Sequence, residues 1–285
     1  MPRPGVSETT CITPHPKYRL TYEVDRPTAN HLPPDPLPLT TIKFFQRSPL
    51  VSSNSANVST SVNQRNTAYT TQRSDVFSMV PTSASHILDV GCSNGALGRS
   101  LRDSQPGRNI TGIEFDNVFA KEAASHLDFV VNADLNFLDW REALSGRNFD
   151  CIIFSDVLEH LPEPDRCLQQ ALKHLLPGGC VVVSLPNIRH ISAMWAIFVH
   201  GRFPQRDRGI FDRTHLRWFT IADAYSLLAN CGLKVSSKSV ALRWRDRGGG
   251  RLNRLLNRLP PSVQHWTPVR EFFTYQICLR AEIAS

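Results

Sequence analysis

The chain has 285 residues, 41% of them hydrophobic, with 20 prolines and a formal net charge of +7, which allows one domain with a full core or two small ones and rules out a mini-protein. Its seven cysteines (Cys11, Cys92, Cys151, Cys167, Cys180, Cys231 and Cys278) are scattered, odd in number and without a C-x-x-C pair, so neither a disulfide framework nor a zinc knuckle is indicated and a reducing, cytoplasmic setting is expected. No apolar run approaches the roughly 18 residues of a membrane span, and no secretory signal pattern opens the chain.

Residues 1–81 read as an irregular, partly disordered extension. Nine prolines fall before residue 40, and residues 52–73 are mostly Ser, Thr, Asn and Gln, a composition that buries too little apolar surface to offset its ordering entropy. Thr41 to Phe45 and Val76 to Val80 are apolar patches able to dock on the domain that follows. From residue 82 onward, strands alternate with helical stretches. The expected strands are His86–Val90, Ile110–Glu114, Phe129–Val131, Phe149–Phe154, Cys180–Leu185, Leu233–Val240 and Phe272–Leu279. The expected helices are Ala96–Arg102, Asn117–Ser125, Pro164–Leu176 and Ile221–Cys231. Pro177-Gly178-Gly179 is expected to end the third helix and start the next strand. This order predicts an α/β domain over 82–285, a doubly wound and mostly parallel seven-stranded sheet, with insertions at 186–219 and 241–271. Its ligand crevice lies at the carboxyl ends of the strands.

The first strand runs into Asp89-Val90-Gly91-Cys92-Ser93-Asn94-Gly95 and then directly into a helix, where glycines allow a sharp turn and close approach to a ligand. Alone, this is also what a plain strand-to-helix turn looks like. Glu114 ends the second strand, where a carboxylate can accept from both hydroxyls of a ribose; a solvated strand-end acid is the alternative. Asp134 follows the third strand and can bond an adenine amine, or simply form a turn. The three positions occur at the ends of successive strands, and a G-x-G-x-x-G dinucleotide loop is absent.

With these motifs the chain resembles the class I S-adenosylmethionine-dependent methyltransferases over about residues 82–240 and the final strand. The resemblance implies a Rossmann-like methyltransferase fold and S-adenosylmethionine as cofactor. It implies a cofactor site at Gly91, Ser93 and Gly95 supported by Asp89, with Glu114 on the ribose and Asp134 on the adenine. Ser93 stands where many members have glycine.

Ser155 and Asp156 follow the fourth strand and are expected at the crevice. Asp156, Glu159 and His160 have i, i+3, i+4 spacing, which places them on one face of a helical turn. His160 can then be a general base, the three can hold a divalent metal, or the segment is a structural turn; no metal ligand is assigned. The carboxylate-x-x-Glu-His run is similar to that of the ubiquinone-pathway O-methyltransferases. After the fifth strand, His190 and the run Asp212-Arg213-Thr214-His215-Leu216-Arg217-Trp218-Phe219-Thr220 read as an acceptor pocket or lid, with His190 and Arg213 binding substrate and His215 as a second candidate base. The alternative is a surface loop in which Asp212 pairs Arg213 or Arg217, Phe219 plugs the core and Thr220 caps the next helix. This run resembles that of methyltransferases found beside glycosyltransferases in surface-polysaccharide pathways, which implies a sugar or glycan-linked hydroxyl as acceptor. A resemblance to methyltransferase-like proteins of methionine biosynthesis keeps open a non-catalytic binding or regulatory subunit, and the metal reading keeps open phenol O-methylation.

Between Arg243 and Arg258, six arginines face the single acid Asp246, and Leu252, Leu255, Leu256 and Leu259 recur at helical spacing. Such a helix either caps the sheet with its leucines or lies on an anionic membrane surface. No nucleic-acid-binding module surrounds it. The resemblance implies a small-molecule or glycan-linked acceptor as partner; peripheral membrane contact is left open by the basic helix, and no nucleic acid is expected.

Overall fold

The computed structural model describes residues 73–239, 242–244 and 250–284. Most of the expected extension, Thr41 to Phe45 included, lies outside the described residues, as do Cys11, Val240, Arg245 and Arg247.

The domain begins earlier than the expected boundary at residue 82. A helical turn, α1 (Ser74–Phe77), buries Val76 completely, and Met79 and Val80 follow it into a cluster with Ile87, Ile110 and Ile153. Burial of such side chains contributes about 1.5–3 kcal/mol each, so this short segment is held as part of the core.

Seven strands follow: β1 (His86–Val90), β2 (Asn109–Glu114), β3 (Phe129–Asn132), β4 (Phe149–Ser155), β5 (Leu175–Pro186), β6 (Leu233–Ser239) and β7 (Gln276–Ile283). They form one sheet in the order β3-β2-β1-β4-β5-β7-β6. All pairs are parallel except those of β7, which runs antiparallel to both β5 and β6. Successive residues of the central strands serve opposite faces, as a two-residue side-chain period requires. Leu88, Ile152 and Val181 pack into one cluster with Trp140 and Leu168, whereas Ile87, Ile153 and Val182 pack into the other with Leu97 and Leu101.

The helices between strands are α2 (Ala96–Ser104), α3 (Asn117–Ala123), α4 (Trp140–Leu144), α5 (Pro164–Leu172), α6 (Ile191–Met194) and α7 (Ile221–Asn230). The Thr220 hydroxyl and the Asp223 carboxylate close a reciprocal cap at the start of α7, an arrangement worth about 1 kcal/mol. Phe219 plugs the core just before it. After β6 the chain passes through α8 (Arg251–Leu256), α9 (Pro261–Gln264) and α10 (Thr267–Phe273) before β7.

Several element boundaries differ from expectation. The third expected helix ends at Leu172, and Pro177-Gly178-Gly179 lies inside β5. Leu175 already pairs with Phe149, and a register shift separates that pair from Cys180 opposite Cys151, so the Pro-Gly-Gly run is an irregularity within a strand. The seventh strand starts at Gln276 because Phe272 and Phe273 finish α10.

Candidate functional site

The turn after β1 is built for close approach. The amides of Gly91 and Cys92 both donate to the Ile113 carbonyl, at 2.7 and 3.1 Å, which folds the loop against the end of β2. Gly91 has φ +71°, and a Cβ there would lie 2.4 Å from Val157 Cγ2. Gly95 has φ +80° at the start of α2, where a Cβ would meet the α3 backbone at Ala123. Ser93 adopts a positive φ of 50° between them, so the residue standing at the family's glycine position takes the left-handed backbone that glycine favours.

Glu114 is fixed by two backbone amides. Its Oε2 accepts from Ser93 N and its Oε1 from Asp116 N, both at 2.8 Å. Burial raises its pKa, against the opposing effect of those amides. Asp134 accepts from the backbone and side-chain nitrogens of Asn136 at 2.9 and 2.8 Å, forming the turn considered from sequence. Asp89 is buried at the end of β1, and its pKa is pushed up to about 7 by burial and then by the charge of Glu114, with Arg73 opposing.

A cavity of about 600 Å³ opens at the carboxyl ends of the strands, within the size range of cofactor sites. Asp89, Gly91, Ser93, Glu114, Asp134 and Ser155 line one part of it; Asp156, Glu159, His160 and His215 line another. Asp89 Oδ2, Ser93 Oγ and Ser155 Oγ are buried there without a hydrogen-bond partner among the described residues. Buried polar atoms are rarely left so, and a ligand with several polar groups would satisfy them. The glycine turn, the anchored Glu114 carboxylate and these atoms fit the expected cofactor. Gly95 shapes the turn from beneath and does not itself line the cavity.

The opposite wall comes from two separate segments. Leu158–His160 is a short 3₁₀ turn after β4. The segment around His215 is tied to it by the amides of Leu216 and Arg217, which donate to the Glu159 carbonyl at 2.9 and 3.1 Å. The rings of His160 and His215 meet edge to face at 4.7 Å. His160 Nδ1 lies 3.2 Å from the Thr214 carbonyl and His215 Nδ1 lies 3.2 Å from that of Ile210. Each contact sets Nδ1 and leaves Nε2, which in His215 lies 3.9 Å from Glu159 Oε1. Burial, then His160, lowers the pKa of His215, with Asp212 opposing. Glu159 is completely buried with neither carboxylate oxygen hydrogen-bonded among the described residues, its Oε1 lying 3.9 Å from His215 Nε2, and burial followed by Asp156 holds its pKa well above the ordinary range. One ligand atom each from Glu159, His160 and His215 lie within 4.8 Å of one another, a donor set competent for a divalent cation. This grouping differs from the expected Asp156, Glu159 and His160 because Asp156 turns elsewhere.

Asp156, at φ +56°, binds a polar cluster at the cavity floor. It accepts from Arg73 and from Gln276 Nε2, and Ser184 Oγ donates to it at 3.3 Å. Arg73 also pairs bidentately with Asp75, at 3.1 Å to each oxygen, and reaches Ser184 Oγ at 2.7 Å. Burial works against the Arg73 charge, but Asp156 and then Asp75 outweigh it and raise its pKa. Sequence reasoning missed Arg73 and Gln276, since neither carries a motif and Arg73 lies in the segment assigned to the extension.

Two expected substrate residues lie outside the cavity. His190 is fully buried; its Nδ1 accepts from Ser192 N at 3.2 Å and caps α6, and its Nε2 contacts the Arg243 carbonyl at 2.8 Å. Arg213 forms an ion pair with Asp207 at 2.6 Å, and Arg208 rather than Arg213 lines the cavity. Asp212 bonds Thr214 N and Oγ1, at 2.9 and 2.6 Å, and Arg217 donates to the Pro162 carbonyl.

Comparison with known proteins agrees with this geometry. A family described as a methyltransferase domain matches residues 63–238, more than half of the chain. A ubiquinone biosynthesis O-methyltransferase of Xylella fastidiosa is 33% identical over 199 residues, covering 66% of this chain and 79% of that protein. One from Hydrogenovibrio crunogenus is 33% identical over 115 residues, covering 39% and 47%. The chain spans about half the length of several curated relatives it matches. Among solved structures, a complex of the Haloferax volcanii Trm112 methyltransferase activator with a methyltransferase superimposes with a TM-score of 0.51 at 13% identity, covering 81% of this chain and 96% of that one, a likeness of fold.

Proposed function

Because the chain belongs to the class I S-adenosylmethionine-dependent methyltransferases, we propose that it transfers a methyl group to a hydroxyl oxygen of a sugar, a glycan-linked group or another small polar acceptor. The observation that carries this reading is that the cofactor loop and a polar wall of Asp156, Glu159, His160 and His215 share one open cavity. A non-catalytic subunit needs no such wall, and its cavity is free to be filled by side chains.

S-adenosylmethionine supplies an activated methyl group, so the protein has to hold acceptor and cofactor in line and take up a proton. Gly91, Ser93 and Gly95 shape the cofactor's cradle, and Glu114 and Asp134 hold its nucleoside end. His160 or His215 accepts the hydroxyl proton through Nε2. The lowered pKa of His215 keeps that ring neutral, and therefore able to accept, at neutral pH. Asp156, anchored by Arg73 and Gln276, orients the acceptor. Arg208, at the cavity rim, supplies positive charge for an anionic substituent.

A second reading is favoured by the Glu159, His160 and His215 grouping. A divalent cation held there would lower the pKa of a coordinated phenolic or vicinal hydroxyl, and the acceptor would be a phenol. Transfer of radiolabelled methyl from S-adenosylmethionine to panels of sugar and phenolic acceptors separates the two. The first reading expects turnover insensitive to chelator and lowered about 10²–10⁴-fold by His160→Ala or His215→Ala. Turnover abolished by chelator and restored by a divalent metal shifts the assignment to the second, and no transfer to any acceptor by a cofactor-binding protein contradicts both.

A further inference from the structure

Helix α8 packs on the domain in the reverse sense to an ordinary amphipathic helix. Its inward side is polar: Asn253 Oδ1 accepts from Trp244 N at 2.8 Å, while the Asn257 side chain just beyond the helix accepts from Leu242 N at 3.0 Å and donates to Leu242 O at 2.8 Å. Asn253 is 9% exposed, whereas Leu252 and Leu255 are 53% and 61% exposed. Of the four leucines expected to cap the sheet, Leu252 and Leu255 therefore face solvent, while Leu256 and Leu259 are half-buried. Arg251, Arg254 and Arg258 flank them and are exposed, and the short helix that follows leaves Trp266 63% exposed. No Asp or Glu occurs in the sequence between Asp246 and Glu271.

A second apolar surface arises in the insertion after β5. The segment Trp195–Val199 leaves Trp195, Phe198 and Val199 exposed, Phe198 by 78%, and no acid occurs between His190 and Asp207, where Arg202 and Arg206 fall. The base of this segment is fastened to the region that carries α8: Arg189 pairs with Glu271 at 3.3 Å, and His190 contacts the Arg243 carbonyl. Leucine and tryptophan flanked by arginine, without acids, match the apolar boundary and negative headgroups of an anionic bilayer. The charge is the wrong pattern for a second copy of this chain, which would set arginines against arginines.

We propose that α8 and the Trp195–Val199 segment form a surface that docks the protein on an anionic lipid bilayer, with Leu252, Leu255 and Trp266 inserted at the headgroup boundary and Arg251, Arg254 and Arg258 on the phosphates. This is independent of which acceptor is methylated, and it is tested without one.

The test is flotation of the full chain with phosphatidylcholine vesicles containing or lacking about one-third phosphatidylglycerol, at low salt and at about 0.5 M NaCl. Binding is expected only with phosphatidylglycerol, weakened by salt, and reduced at least about tenfold by Leu252→Ser/Leu255→Ser and by Arg251→Gln/Arg254→Gln/Arg258→Gln. Quenching of tryptophan emission by lipids brominated on the acyl chain is expected in the unaltered chain and lowered by Trp266→Phe. The leucines are exposed, so the variants are expected to keep the parent's melting temperature and cofactor affinity, which separates lost docking from lost folding. Absence of vesicle binding, or binding unchanged in both multiple variants, overturns the proposal. So does a concentration-dependent dimer that the leucine substitutions abolish, since the face would then belong to a second copy.

Discussion

Asp89 shows how one residue can carry a fold-dependent charge. Its ordinary pKa of 3.8 rises to about 7 through burial and the nearby Glu114. Between those two values the folded chain retains a proton that the unfolded chain has lost, so its contribution is most favourable below the lower value and is lost as pH rises through the window. The slope from this group is at most about 1.4 kcal/mol per pH unit. Asp89→Asn, neutral at every pH and of nearly the same shape, is expected to flatten the decline; urea unfolding of both proteins between about pH 4 and 7 measures it, and identical slopes would contradict the assignment. Gly91 makes a steric prediction. A Cβ there would meet Val157 Cγ2 at 2.4 Å and φ is +71°, so Gly91→Ala is expected to lose about 1–3 kcal/mol of stability and about tenfold in cofactor affinity. Thermal melts and calorimetric titration check the two effects, and neither changing would mean that the loop yields freely.

At the scale of elements, His190 separates a structural from a substrate-binding role. It caps α6 and ties the first insertion to the Arg243 carbonyl while lying outside the cavity. His190→Ala is expected to cost about 1–3 kcal/mol of stability and to leave the acceptor KM unchanged in the folded fraction; a selective rise in KM would restore it to the acceptor site. The strands were legible because their apolar side chains serve both faces of the sheet, as in Ile152-Ile153 and Val181-Val182. The start of β5 was not, because Pro177-Gly178-Gly179 has the local chemistry of a helix stop while Leu175 is held by pairing with Phe149, a partner distant in sequence. Helix α8 was legible as a helix from its leucine spacing, but which side faces inward depends on the Asn253 and Asn257 bonds to Trp244 and Leu242, and spacing does not encode those.

Across the whole molecule, the candidate site is assembled from parts far apart in the chain, which limits what a motif can disclose. Gly91, Glu114 and Asp134 were readable because each sits at the end of a consecutive strand, where topology alone brings them together. The polar floor was not, since Arg73, Asp156, Ser184 and Gln276 meet from the domain's first turn, β4's end, β5 and β7. Arg73→Met keeps most of the side-chain volume and removes the cation that holds Asp156. It is expected to lower stability by about 1–3 kcal/mol, and to lower turnover more than cofactor affinity. A loss of stability with unaltered turnover would show that the floor serves folding alone.

The most direct test of the whole account is calorimetric titration of the protein with S-adenosylmethionine and S-adenosylhomocysteine, repeated on Glu114→Ala. Glu114 is anchored by Ser93 and Asp116 and faces the cavity, so both ligands are expected to bind in the micromolar range and to weaken at least about tenfold in the variant. Absence of binding to either ligand, or equal binding by the variant, would contradict the placement of the cofactor on which the proposed chemistry depends.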